Sequence, residues 1–96
     1  MRLKVLGTEW NACLVSASSL PRDASAQMLP DSYRIEVQGD TPVEKQQADF
    51  FHELCEVACV VGNITPLEQS HDLLDTFSNV LYAILRDNDL LRAVKL

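Results

Sequence analysis

Thr41-Pro42-Val43-Glu44 and, further on, Thr65-Pro66-Leu67-Glu68 are one helix start written twice. In each, a Thr stands where its hydroxyl can accept from the third helical amide, and a Glu three residues later can reach back to the Thr amide. The Pro between them falls at the first helical position, where a missing donor costs nothing. Helix one is therefore expected over residues 41–62, running from Pro42 to Val61 with Gly62 as the glycine after its end. Helix two is expected over residues 65–88, from Pro66 to about Asp87, with Asn88 taking the left-handed turn. Only Asn63-Ile64 separates them, so they should form an antiparallel pair. Phe50, Phe51, Leu54, Val57, Ala58 and Val61 would face Leu67, Leu74, Phe77, Leu81, Ile84 and Leu85. Residues Asp89 to Leu96 would add a short helical turn through Leu90, Leu91 and Val94. The repeated start is a capping solution used twice, not an internal repeat, since the helices otherwise differ.

Upstream the period changes to two. Leu3 and Val5 alternate with Arg2 and Lys4, and Trp10, Ala12 and Leu14 alternate with Glu9, Asn11 and Cys13. These read as two strands joined near Gly7-Thr8, an N-terminal hairpin. Ser32-Tyr33-Arg34-Ile35-Glu36-Val37 alternates more cleanly, with Tyr33, Ile35 and Val37 on one face and Gly39 after it. Residues 16–31 are small, polar and interrupted by Pro21 and Pro30, and read as a loop. A structureless loop of that length in a compact domain points to a lid, a binding loop or a poorly ordered segment. The fold class is α+β: a small antiparallel sheet, made of the hairpin plus one strand in residues 1–38, packed on a two-helix antiparallel hairpin.

The chain has 96 residues, room for one core and so one domain spanning 1–96. With 47% hydrophobic and 23% charged residues it is ordinary globular material. A net charge of -6, with eight scattered Lys and Arg, argues against nucleic acid or anionic membranes as partners and leaves proteins or peptides. Cys13, Cys55 and Cys59 form no disulfide framework and no zinc knuckle, which favours a reducing compartment. The apolar run in Met1-Arg2-Leu3-Lys4-Val5-Leu6 is too short for a signal peptide, and no stretch has the length of a membrane span. A cytoplasmic protein is expected.

Chemistry concentrates in Phe51-His52-Glu53-Leu54-Cys55-Glu56 and in His71. On a helix His52 and Glu56 are four apart and share a face. That is the spacing of the zinc-binding H-E-x-x-H motif, with a carboxylate in the second ligand position. His52 lies ten residues before Gly62, Glu56 six before it and His71 nine after it. Across an antiparallel hairpin the three should converge. Two imidazoles and a carboxylate suit zinc with one position left open, and Glu53 would be the neighbouring general base. The alternative is that His52 and His71 are partly buried polar groups bonded to each other or to Glu56. Cys55 and Cys59 flank the site but, on an apolar helix face, read as core. Trp10 reads as a core anchor.

The run from Asp49 through Asn88 resembles small phage and prophage proteins related to the ImmA/IrrE-type and SprT-like metallopeptidases. In these a hairpin and a strand lead into a helix bearing H-E-x-x-H or H-E-x-x-E. A second helix follows, with a metal-binding residue and an ending similar to Leu81-Tyr82-Ala83-Ile84-Leu85-Arg86-Asp87-Asn88. The resemblance implies that His52 and Glu56 are first-helix ligands, His71 the second-helix ligand and Glu53 the catalytic base, with zinc as cofactor. Glu56 departs from the usual second His.

Two function classes follow. One is a zinc peptidase-like hydrolase whose extended substrate would lie beside the Tyr33 to Val37 strand as an added edge. The other is a non-catalytic acidic interaction protein that meets a basic partner, such as a phage-encoded inhibitor of a host defence complex.

Overall fold

Four strands precede two helices in the computed structural model, which describes residues 1–64 and 70–96. The order is β1 (Arg2–Val5), β2 (Thr8–Val15), β3 (Ala26–Leu29), β4 (Arg34–Gln38), α1 (Val43–Gly62) and α2 (His71–Asp87). The α+β architecture holds, with the two helices packed on each other.

β1 and β2 form the expected hairpin, Val5 pairing with Thr8 around a two-residue turn at Leu6-Gly7. Both turn residues have positive φ, 47° and 84°, as the tightest hairpin turn demands, and Gly7 adopts it without a Cβ penalty.

The sheet departs from expectation in two ways. Its order is β1-β2-β4-β3, and β2 runs parallel to β4, so the sheet is mixed and not wholly antiparallel. A parallel partner must begin again at the same end of the sheet, and that return takes a long connection. Residues 16–33 supply it, which is why this segment is long. It is also not the structureless loop its composition suggests. Two short 3-10 turns, Ala17–Ser19 and Pro30–Ser32, frame β3, which pairs antiparallel with β4 from Ala26↔Val37 to Leu29↔Arg34. β4 begins at Arg34, because Tyr33 is left-handed (φ 53°, ψ 48°) and closes the preceding turn. Tyr33 is therefore outside β4 and half-exposed, with its ring packed edge to face on Trp10 at 5.5 Å.

One face of this sheet is core and the other is wet. Trp10, Ala12, Ile35 and Val37 are buried and share a cluster with Phe50, Phe51, Val57 and Tyr82. On the opposite face the Arg34 guanidinium donates to Glu36 (3.0 Å) and to Cys13 Sγ (2.9 Å), and Gln27 donates to Glu36 (2.7 Å). Leu14, expected inward with Trp10 and Ala12, is exposed.

Helix α1 lies on the sheet, touching β4, β3 and β1, and α2 stacks on the far side of α1. Cys55 and Cys59 are buried against Leu74 there, with Leu81 beside them, so the core reading of these cysteines holds. Phe77 and Ile84, expected to face helix one, are exposed instead, since α1 already covers the sheet and α2 needs only one stripe to cover α1.

The helix ends are shifted. Pro42, at φ −56° and ψ 148°, is the N-cap of α1, and Thr41 stands one residue outside it. The Thr41 hydroxyl donates to the Gln38 carbonyl at 3.1 Å, so it serves the strand end and not the helix amides. Gln46 takes the organising role, its side-chain amide donating to the carbonyls of Gly39 (3.0 Å) and Thr41 (2.9 Å). At the other end Gly62 is helical and Asn63 adopts the left-handed turn. The amide of Ile64 bonds the Cys59 carbonyl (2.9 Å) in a six-to-one closure. The capping role expected of Thr65 and Glu68, with Pro66 and Leu67, lies outside the described residues. Ser70, at φ −106° and ψ 84°, is not helical, so α2 starts at His71 and is not one helix continuous from Pro66. α2 ends at Asp87 as expected, but the left-handed residue is Asp89, not Asn88. Beyond it Leu91, Val94 and Leu96 fold back onto the main core without forming a helix.

The helix-one entry is thus held by Gln46. Gln46→Ala should cost about 1–2 kcal/mol in urea unfolding, since two carbonyls lose a donor. Glu44→Ala should stay within about 0.5 kcal/mol. The reverse order would restore the reciprocal Thr41/Glu44 cap.

Candidate metal centre

Position on α1 decides what each side chain of the His52–Glu56 run meets. Phe50 and Val57 point to the sheet, and Cys55 and Cys59 to α2. His52 and Glu56 occupy the side between these two, next to the start of α2. His71, at the first position of α2 and not one and a half turns in, projects its 71% exposed side chain toward them. His52, Glu56 and His71 each offer a ligand atom, and the three lie within 4.8 Å of one another. The hairpin brings together the residues that spacing had singled out.

The separations suit a small cation. His52 Nε2 is 3.6 Å and His71 Nδ1 is 3.8 Å from the same Glu56 oxygen. Ligands about 2.0–2.2 Å from a tetrahedral zinc stand about 3.4 Å apart, so small side-chain rotations close the set. The two rings meet edge to face with centroids 5.3 Å apart.

A fourth residue orients the first ligand. His52 Nδ1 lies 3.2 Å from Asp75 Oδ1 and 3.5 Å from Ser78 Oγ. The buried Ser78 hydroxyl gives its own proton to the Asp75 carbonyl (3.0 Å), which leaves its oxygen free to accept. Asp75 and Ser78 are both placed to accept from Nδ1–H, an arrangement that would leave Nε2, on the Glu56 side, as the ligand atom for a metal. Carboxylate behind histidine is the usual outer partner of a metal ligand. Asp75 was not among the residues singled out by spacing; its position four residues after His71 was the available signal, but only the packing of α2 sets it against His52.

Glu53 is the outlier. Its place on the helix falls between the sheet-facing and cleft-facing sides, and its side chain is buried to 7% exposure. Loss of hydration, then Glu56 as acceptor of its proton, then the nearby Glu56 and Asp49 charges raise its pKa from 4.5 to about 9. One carboxyl oxygen, Oε2, has no hydrogen-bond partner among the described residues. The protonated form of Glu53 is thus favoured, as a donor toward Glu56.

His52, Glu53, His71 and Asp75 line a cleft of about 310 Å³, and Glu56 lies outside its lining. α1 supplies Asp49, His52 and Glu53, α2 supplies His71 and Asp75, and Asp23, Ser25 and Ala26 form the opposite wall. That wall comes from the segment read as a loop, which here carries a strand and lines the cleft. β4, expected to offer a free edge to a peptide, is interior; the edge beside the cleft belongs to β3, whose first residue is Ala26. No protein-family model, curated protein or solved structure matches the chain. Among the described residues no helix is long and apolar enough to cross a membrane.

The buried acid has a measurable consequence. Between pH 4.5 and about 9 the folded chain holds a proton on Glu53 that the unfolded chain has lost, so stability falls as pH rises through that window. Glu53→Gln, which mimics the neutral acid and still donates to Glu56, should stabilise the chelator-treated protein by on the order of 1–3 kcal/mol at pH 7. The gain should vanish near pH 4.5. Equal melting of both proteins at pH 5 and pH 8 would mean that Glu53 is ionised in the fold.

Proposed function

We propose that this chain binds one zinc ion through His52, Glu56 and His71, and that it is a small metallopeptidase-like protein of the phage type, acting in the cytoplasm on an extended peptide or protein segment. The observation that carries the reading is the triad itself, with three ligand atoms within 4.8 Å of one another and the first held by Asp75. Its donor set matches zinc: imidazole and carboxylate, with no hard all-oxygen cage and with room for a fourth ligand.

Zinc held here supplies Lewis acidity toward a carbonyl oxygen or a water molecule. The chain's own groups do the rest. Asp75 and Ser78 keep His52 in the tautomer that presents Nε2. A cation held by Glu56 would leave that carboxylate less able to accept the Glu53 proton, and its positive charge would favour the Glu53 carboxylate. In that form Glu53, lining the same cleft, is the general base. A substrate backbone pairs with the free edge of β3 and passes the cleft at Ser25 and Ala26.

One observation favours the non-catalytic reading. Glu53 is buried and neutral, and a scaffold that needs no base tolerates this without cost to function.

Equilibrium dialysis should find one zinc per chain, with a thermal shift that grows with free zinc. His71→Ala and Glu56→Gln should each weaken binding by well over tenfold, and Asp75→Asn by about 10–100-fold. Wild-type affinity in His71→Ala would remove the site. For catalysis, Glu53→Gln should abolish cleavage of an unfolded protein substrate while zinc stays bound; a wild type that binds zinc and cleaves nothing selects the scaffold reading.

A further inference from the structure

α2 carries a second apolar face that the fold does not use. Leu73, Phe77, Val80 and Ile84 are 56%, 52%, 54% and 52% exposed. Their spacing of four, three and four residues places them in one row along the helix. The buried side of α2, marked by Leu74, Ser78 and Tyr82, lies about a third of a turn away, so the row is not the margin of the core contact. A row of four large apolar side chains on a monomer surface marks an interaction site more often than chance exposure.

We infer that this row is the docking face for a basic amphipathic helix of another protein. The spacing selects a helix as occupant, since residues in an a/d register accept apolar side chains repeating with the same period. The charge selects its sign. Described helix α2 carries Asp72, Asp75 and Asp87 against one cation, Arg86, which is turned onto Asp87 (3.1 Å) and the Tyr82 ring (5.6 Å). Asp87 borders the apolar row and Asp72 follows on the same side. The whole chain carries -6, so a second copy meets repulsion where a Lys/Arg-flanked helix meets attraction. Area points the same way: four half-exposed side chains offer roughly 400 Å², below the about 800 Å² per partner of a stable dimer. The inference is independent of the metal centre, which lies on another side of the helices.

The test uses the full chain and three synthetic helical peptides: one with Leu in the a/d register flanked by Lys, one of the same composition scrambled, and one with Glu for Lys. Fluorescence anisotropy should show the first binding at least about tenfold more tightly than the other two, with affinity falling as salt rises. Phe77→Ser with Val80→Ser should lower that affinity about tenfold or more with melting unchanged, since both sites are exposed. If that double variant melts early, Leu73→Gln with Ile84→Gln takes its place. Asp72→Lys should weaken the Lys peptide severalfold and leave the scrambled one unaffected. Equal binding of ordered and scrambled peptides would reduce the effect to charge and overturn the inference. So would concentration-dependent dimerisation in sedimentation that the Ser variants abolish, which would make a second copy the occupant.

Discussion

Phe50 and Val57 on one side of α1 are buried with Ile35 and Val37, and Cys55 and Cys59 on another side are buried with Leu74 of α2. A helix enclosed on two sides organises everything around it. It covers the only apolar face of the sheet, so the sheet needs no second layer. It also presents a flat apolar flank that α2 can cover with a single stripe. The layers are sheet, α1 and α2, and the burial of α1 is the step without which neither neighbour has a partner.

The candidate site is a by-product of that enclosure. The side of α1 left between its two buried faces is where His52 and Glu56 stand, and α2 begins beside it. His71 and Asp75 therefore reach the site from the first two turns of α2, which begins just after the non-helical Ser70. Glu53 sits where the cleft side passes into the core side. Its hydration is lost on burial, and the Glu56 and Asp49 carboxylates lie near, which is why an acid ends up neutral there. The cost of that burial is the physical mark distinguishing this carboxyl from Asp23, Asp49 and Asp75 around the same cleft.

Mixed pairing in the sheet follows from the same economy of layers. With α1 on one face and water on the other, β2 and β4 can sit parallel at the centre because β1 and β3 shield them at the edges. The connection required by that parallel pair is residues 16–33, and it contributes β3 and one wall of the cleft. The segment with the least sequence signal thus closes the site.

Local pattern was enough for the alternation of Trp10 with Ala12 and of Ile35 with Val37, and for the two apolar helical periods, because burial of one face leaves a period in the residues themselves. It was also enough for the convergence of the triad, since i, i+4 spacing puts His52 and Glu56 on one face and an antiparallel partner brings the start of the second helix back beside them. The cap of helix one was not legible: Thr41 can bond a helix amide or the Gln38 carbonyl with similar energy, and the strand end claims it. β3 was missed because an edge strand needs little apolar content, its pairing being supplied by β4. The inward or outward fate of Phe77 and Ile84 was decided by which element had already covered the sheet. Asp75 became a partner of His52 only through the register of two packed helices, a distance that no single stretch of chain encodes.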